Sequence, residues 1–534
     1  MISKKTQVII IFLIIYSMAL GIRVYWLTQK NGFHVDEGLS LAITCYNEYI
    51  SAKNYEINRE YSGREVREES LVSDASVKDA FSDIGKLWKD NRDSPHTNFY
   101  YSLFRLSLIG LKTGDMKLII FRGGLLNLIL FTVSFIFFFL LIRLLFPDSA
   151  LLQYLGAACA FLSTAAISNT LFLRPYQLQE TMFIIFCYYF VKNINAQNFI
   201  CANRAVIINK SLTLICLSFV TAFTLLTGYY AVLFIGLFGI YIVYANCKNK
   251  TYKEILFYFF VLCLGVLLAL ALYPKYFAGF TSYRAAGTSR TLFMNVTENL
   301  TSSLAASGTL LVKHFFTIPV LTICGICSVL LILFKQKLII RKQAFFVFIA
   351  ALIYIVVTLI IAPYKVLRYG MPVFPFLVFF PIMIIDSVKA KIKNITIAVI
   401  LLFVISFMAG AVNQNKIENI FSGKSDEYIF AKEKDVPVYV LMFYFADWNY
   451  VGTWKYANLV PYFNDEQKYY FIIDSEELLS SAHKEFYLVM ENYPGMVPFS
   501  DPKFEILEEF EMTGGEPETV ESYFIGRKIR VKGL

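Results

Sequence analysis

Two adjacent carboxylates, Asp36 and Glu37, stand in the stretch His34-Val35-Asp36-Glu37-Gly38, just past the first apolar run and at the head of a long polar segment. A carboxylate in that place can take the proton from an acceptor hydroxyl as the oxygen attacks an electrophilic carbon. The same pair at a helix N-terminus would also suit the helix dipole as an ordinary solvated pair. The dipeptide alone leaves both readings open.

Arg23, Arg122, Arg174 and Arg368 fall near the same ends of apolar spans. A charge at membrane depth is costly, so it faces a polar cavity or a partner. Each alone could snorkel to headgroups or pair with an acid. Four at one level suggest a shared cavity that attracts anions. A guanidinium grips phosphate through parallel hydrogen bonds and does not lose its charge. Arg122, Arg174 and Arg368 are therefore candidates for holding a phosphate, with Tyr176 and Tyr369 close to them in the chain. His96, Asn98 and Arg284 are candidates for contact with the rest of a substrate. His96 could also bind a divalent metal beside Asp36 or Glu37. No other feature asks for a cofactor, and the expectation is none. Cys324-Gly-Ile-Cys327 has metal-knuckle spacing but lies inside an apolar helix.

These residues need a scaffold, and composition says it lies in a bilayer. The chain of 534 residues is 57% hydrophobic and only 17% charged, with mean hydropathy +0.56. Soluble domains carry about 25% charged residues. Eleven spans are predicted: 7–27, 118–142, 151–171, 175–191, 211–227, 229–246, 255–273, 309–334, 343–362, 369–386 and 394–412. Each is long enough to cross a hydrocarbon core of about 30 Å. With Lys4 and Lys5 in the cytoplasm, the alternate loops that stay inside carry Arg143, Lys192, Lys210, Lys248, Lys250, Lys335, Arg341, Lys389 and Lys391, as the positive-inside pattern requires.

Residues 28–117 and 413–534 then lie outside. In the first of these, apolar residues at helical spacing predict helices over 34–46 and 77–88, a mobile loop over 54–74, and an interfacial helix over 99–111. Residues 274–308, rich in Ser, Thr, Ala and Gly, predict an outer loop that could act as a lid. Its Asn295 and Asn299 triplets are glycosylation sequons in a host with that machinery.

The C-terminal segment 413–534 carries 12 basic and 21 acidic residues, so its net charge is −9 and the remainder of the chain holds +18. The basic residues sit in short loops between spans, which excludes a nucleic-acid footprint. Apolar runs at Val436–Phe445, Tyr469–Ile473, Glu485–Met490, Phe504–Phe510 and Tyr523–Val531, with a helix at Ser475–His483, predict a small soluble α/β domain. The expected organisation is an α-helical polytopic membrane domain over 1–412, with 28–117 as its first extracytoplasmic segment, and an extracytoplasmic α/β domain over 413–534.

Taken in order, Asp36-Glu37, Pro95-His96, Arg174-Pro175-Tyr176 and Arg368-Tyr369-Gly-Met-Pro372-Val-Phe-Pro375 resemble the motifs of the GT-C glycosyltransferases. The branch is that of the protein O-mannosyltransferases and the aminoarabinose transferases of lipid A. Two places differ from the family pattern: Pro95-His96-Thr97-Asn98 replaces His-Pro-Pro, and Arg122-Gly-Gly-Leu replaces Arg-Leu-Pro-Ser. The resemblance implies transfer of a sugar from a polyprenyl-phosphate donor, outside the cytoplasm and with inversion. Asp36 is then the base, with Glu37 beside it, and Arg174, Arg368 and Tyr369 hold the leaving phosphate. The acceptor is a lipid, glycan or protein. A flippase or exporter of lipid-linked glycans, or a polymerase or ligase using a pyrophosphate donor, are the competing classes. With no retention signal or large lumenal insertion, the expected home is a bacterial inner or plasma membrane.

Overall fold

The structure is a computed structural model that describes residues 4–30, 32–46, 56, 58–70, 76–91, 96–111, 115–202, 210–281, 296–362, 365–389, 393–420, 433–441, 463–472, 483–492, 503–513 and 523–532. It packs as two compact units. The first comprises Met1–Leu27, Trp88–Tyr100 and Gly124–Glu418, and the second Thr28–Leu87, Tyr101–Gly123 and Asn419–Leu534.

The first unit is helical, and each predicted span falls on helix. By length and composition, six helices can cross a membrane: Thr6–Gln29, Met116–Leu145, Ala231–Asn249, Tyr252–Leu272, Lys342–Ile361 and Met371–Lys389. Two bent pairs raise the number to eight among the described residues. Ser211–Leu225 and Thr396–Ala411 are shorter apolar helices. The Tyr176–Ala202 helix opens on a polar turn that contains Gln177, Gln179 and Glu180. The chain is a polytopic membrane protein.

The bends have local causes. The predicted span 309–334 is two helices: Val296–His314 stops, the chain turns by 90°, and Ile318–Leu333 begins with Pro319 in its first turn. Proline has no N–H to give and suits a helix start. In the predicted span 151–171, Ser163 ends Ala150–Phe161 and caps Thr164–Leu171, its hydroxyl accepting from Ala166 N at a bend of 53°. The two bends are joined, because Thr164 Oγ1 lies 3.1 Å from His314 Nδ1. His314 Nε2 in turn lies 3.0 Å from Glu418 Oε1.

Residues 296–308, expected within the outer loop, are helical instead. Ser303, Ser307 and Thr309 donate to carbonyls four residues back, which satisfies their hydroxyls inside the helix. Asn299 of the second sequon donates its amide to Ile360 O. Asn295 and residues 282–295 lie outside the described residues.

At one end of this unit Arg341 bonds Asp386 at 3.0 Å and lies 3.4 Å from Asp148. Arg341 and Asp148 lie in loops between predicted spans, and Asp386 ends the predicted span 369–386. The interior is dense with rings, such as Phe183 stacked on Phe234 at 4.1 Å. Such pairs add about 0.5–1.5 kcal/mol beyond their buried area.

The second unit holds helices Val35–Thr44 and Val77–Lys89 and a mixed sheet. Arg105 bonds Asp83 at 2.9 Å, both largely buried. The strands are β1 (Glu60–Ser62), β2 (Val438–Leu441), β3 (Lys468–Ile472), β4 (Glu485–Asn492), β5 (Phe504–Thr513) and β6 (Tyr523–Val531), in the order β1-β3-β2-β4-β6-β5. β2 runs parallel to β3 and β4, and the remaining pairs are antiparallel.

All five predicted C-terminal strands are present; of the predicted helix Ser475–His483, residues 475–482 lie outside the described residues. The segment 54–74, expected as a mobile loop, supplies β1 and the helix Gly63–Ser70. Its order comes from a distant partner. Tyr61 is buried edge-on to Phe471, and Glu60 accepts from Lys468 and Tyr470.

Candidate active site

The Arg174 loop is a helix break written in the sequence. Proline lacks a donor, and it pushes the residue before it out of helical conformation. Thr164–Leu171 therefore ends, and Tyr176–Ala202 restarts directly after Pro175. Arg174 N donates to Phe172 O at 2.8 Å, and Asn127 Nδ2 donates to the freed carbonyls of Thr170 and Phe172. Arg174 is buried, and Phe172 stacks on Tyr176 at 5.8 Å.

The Arg368 loop is wound tightly for a similar reason. Pro372 and Pro375 interrupt α-helical bonding, so Leu367–Tyr369 and Met371–Val378 form 3-10 turns before Phe379–Lys389 becomes α-helical. Arg368 is half-buried, and its guanidinium carbon stands 5.5 Å from the Tyr369 ring.

These two loops meet. The Tyr176 and Tyr369 rings are edge to face at 6.4 Å. His96 joins them, its ring 6.3 Å from Tyr176. Asn91 Nδ2 fixes the His96 turn by donating to its carbonyl at 2.7 Å, and Thr97 bonds the carbonyl of Leu226. A fourth ring was missed by sequence reasoning: Tyr230, edge to face with Tyr369 at 5.9 Å. The signal was Gly228 at the break between the predicted spans 211–227 and 229–246; it takes φ +153, a value that residues other than glycine avoid.

Other candidates stand differently. Arg23 belongs to the interior: it lies 4.0 Å over Phe131 and donates to Thr170 Oγ1, Ala19 O and Phe161 O. Asn98 is buried and donates to Leu272 O at 3.3 Å. Arg122 is half-buried on Met116–Leu145 in the second unit. Arg284 and Pro95 lie outside the described residues.

The acidic pair opens the helix Val35–Thr44, and its two members differ sharply. His34 is the N-cap and its Nδ1 accepts from Asp36 N, while Glu37 accepts from His34 N at 2.6 Å, a reciprocal capping box. Glu37 is fully buried and both its oxygens lie 2.9 Å from Lys30 Nζ, which also donates to Asn419 O. Asp36 is 22% exposed at its side chain, with Oδ2 3.8 Å from His34 Nδ1. Of the pair, Asp36 is the accessible carboxylate.

Among the described residues no three His, Cys, Asp or Glu side chains converge as a metal ligand set would.

No protein-family model matches the chain, and no curated protein matches it. Solved structures resemble it, two of them of one protein. One is ArnT from Cupriavidus metallidurans bound to undecaprenyl phosphate, with 11% identity, 97% of each chain covered and a TM-score of 0.51. The other is the same protein in the apo state, with 12% identity, 92% of this chain and 94% of that one covered, and a TM-score of 0.49. At this identity the likeness concerns the fold, and it runs the length of both chains: the protein has the polytopic membrane fold seen in ArnT.

Proposed function

We propose that this chain is an inverting glycosyltransferase that moves a sugar from a polyprenyl phosphate to an acceptor hydroxyl at the extracytoplasmic face of a bacterial inner membrane. The observation that carries the reading is the meeting of the Arg174-Pro175-Tyr176 and Arg368-Tyr369 loops through their tyrosine rings. Undecaprenyl phosphate, the lipid in the ArnT structure, is a ligand of the matching chemistry.

In this scheme Asp36 takes the acceptor proton, and the acceptor oxygen attacks the anomeric carbon from the side opposite the phosphate. The carbon–oxygen bond to phosphate breaks, and the polyprenyl phosphate leaves carrying the released charge. Fixed guanidinium groups stabilise charge that builds there in the transition state without reorganising. Arg174 and Arg368 are assigned that part, with Tyr369 and Tyr176 beside them and Arg122 as a further cation. His96, backed by Asn91, is assigned to the sugar or acceptor. Glu37 stays paired with Lys30 and holds the helix that presents Asp36. The reaction so written requires no cofactor.

The test is to give purified protein a polyprenyl-phosphate sugar and an acceptor lipid. Release of polyprenyl phosphate with inverted product configuration by NMR supports the scheme. Passage of the intact donor across vesicles without sugar release would replace it with translocation.

A further inference from the structure

The helix ends on either side of the four-residue break Phe172–Pro175 are tied together by buried side chains. Asn169 and Thr170 close the first helix, and Gln177 and Glu180 open the second. Asn169 Nδ2 donates to Glu180 Oε2 at 3.0 Å, and Gln177 Nε2 donates to Glu180 Oε1 at 3.0 Å. Thr170 Oγ1 donates to Gln177 Oε1 at 2.8 Å and accepts from Arg23 Nε at 2.9 Å. Each of these side chains is at most 2% exposed.

Burying so many polar groups among apolar helices costs several kcal/mol for any left unsatisfied. Two helices could be held together more cheaply by leucines. The network crosses the break through Asn169–Glu180 and Thr170–Gln177, so it fixes the separation of the two helix ends. Arg174 and Tyr176 stand on that separation. A misplacement of about 1 Å in a reacting group can cost on the order of 100-fold in rate.

We propose that Glu180, clasped by Asn169 and Gln177, is a positioning residue that sets where Arg174 stands for phosphate. The inference rests on the functional reading above for what Arg174 holds.

The experiment is a double-mutant cycle on the full-length protein in detergent, with undecaprenyl phosphate as the probe. Glu180→Ala should weaken its binding about tenfold, the loss expected for one well-placed charged hydrogen bond. In an Arg174→Ala background the same change should weaken binding no further, because nothing remains to be positioned. A general loss of packing would instead add to the Arg174→Ala effect, and that additivity would overturn the inference. So would unchanged binding by Glu180→Ala. Where Glu180→Ala fails to fold, Thr170→Val, which removes only the hydroxyl linking Arg23 and Gln177, carries the same cycle. If the unaltered protein binds no undecaprenyl phosphate, the functional reading itself fails. A wild-type protein that binds, with an additive cycle, sinks only the role of Glu180.

Discussion

Lys30 Nζ stands 2.9 Å from both carboxylate oxygens of Glu37, and neither side chain is exposed. Removing one partner of a buried pair leaves an uncompensated charge and costs about 3–5 kcal/mol. Glu37→Gln and Lys30→Met should each lower thermal stability by that order. The joint apolar replacement Lys30→Met with Glu37→Leu should recover most of it. Thermal unfolding of the three variants checks this, and two harmless single substitutions would remove the structural role given to Glu37.

Arg174→Ala and Arg368→Ala should each weaken undecaprenyl phosphate binding by about 10–100-fold, as expected for lost hydrogen bonds to a charged group. Asp36→Asn should leave that binding intact. Equilibrium binding to the purified variants separates the leaving-group contacts from the base.

The strand β1 is docked by a close backbone approach. A Cβ on Gly63 would overlap the Asn464 carbonyl, and Tyr61 is buried against Phe471. Gly63→Ala should free β1, and Tyr61→Ala should cost about 3–5 kcal/mol by analogy with other large aromatic truncations. Amide exchange at residues 60–62 should rise in both variants and stay slow in the parent.

Acid should loosen the same sheet. Hydrogen bonds from Lys468 and Tyr470 hold the Glu60 carboxyl below its ordinary value. Burial, reinforced by Lys468, holds the His483 imidazole below its own. Both groups bind more protons unfolded than folded, so stability rises with pH. The His483 contribution is complete above about pH 6.5 and the Glu60 contribution above about pH 4.3, each being lost as pH falls through the lower folded value. Amide exchange in β1 to β3 between pH 7 and pH 3 should accelerate in two steps. Glu60→Gln should remove the lower one.

Much of this was legible in the chain. Span positions followed from apolar length, and the Arg174-Pro175-Tyr176 and Arg368-Tyr369 segments stood out by their residues. Four things were not. Glu37 and Asp36 look alike in sequence, and only the placement of Lys30 tells the ion-paired carboxylate from the accessible one. Arg23 and Arg174 share a predicted level in the bilayer, but Arg23 faces Phe131 and main-chain carbonyls. The three residues of β1 carry no strand signal of their own; their partner is some 400 positions away, at Lys468–Tyr470. Tyr230 sits in a turn like many others until Tyr369 is folded against it.

The base is tested most directly by single-turnover release of polyprenyl phosphate from a polyprenyl-phosphate sugar, comparing the parent protein with Asp36→Asn. The variant should fold, bind undecaprenyl phosphate like the parent, and release product at least about 100-fold more slowly, the scale of general-base catalysis. Release at the parental rate by Asp36→Asn would contradict the assignment of the base.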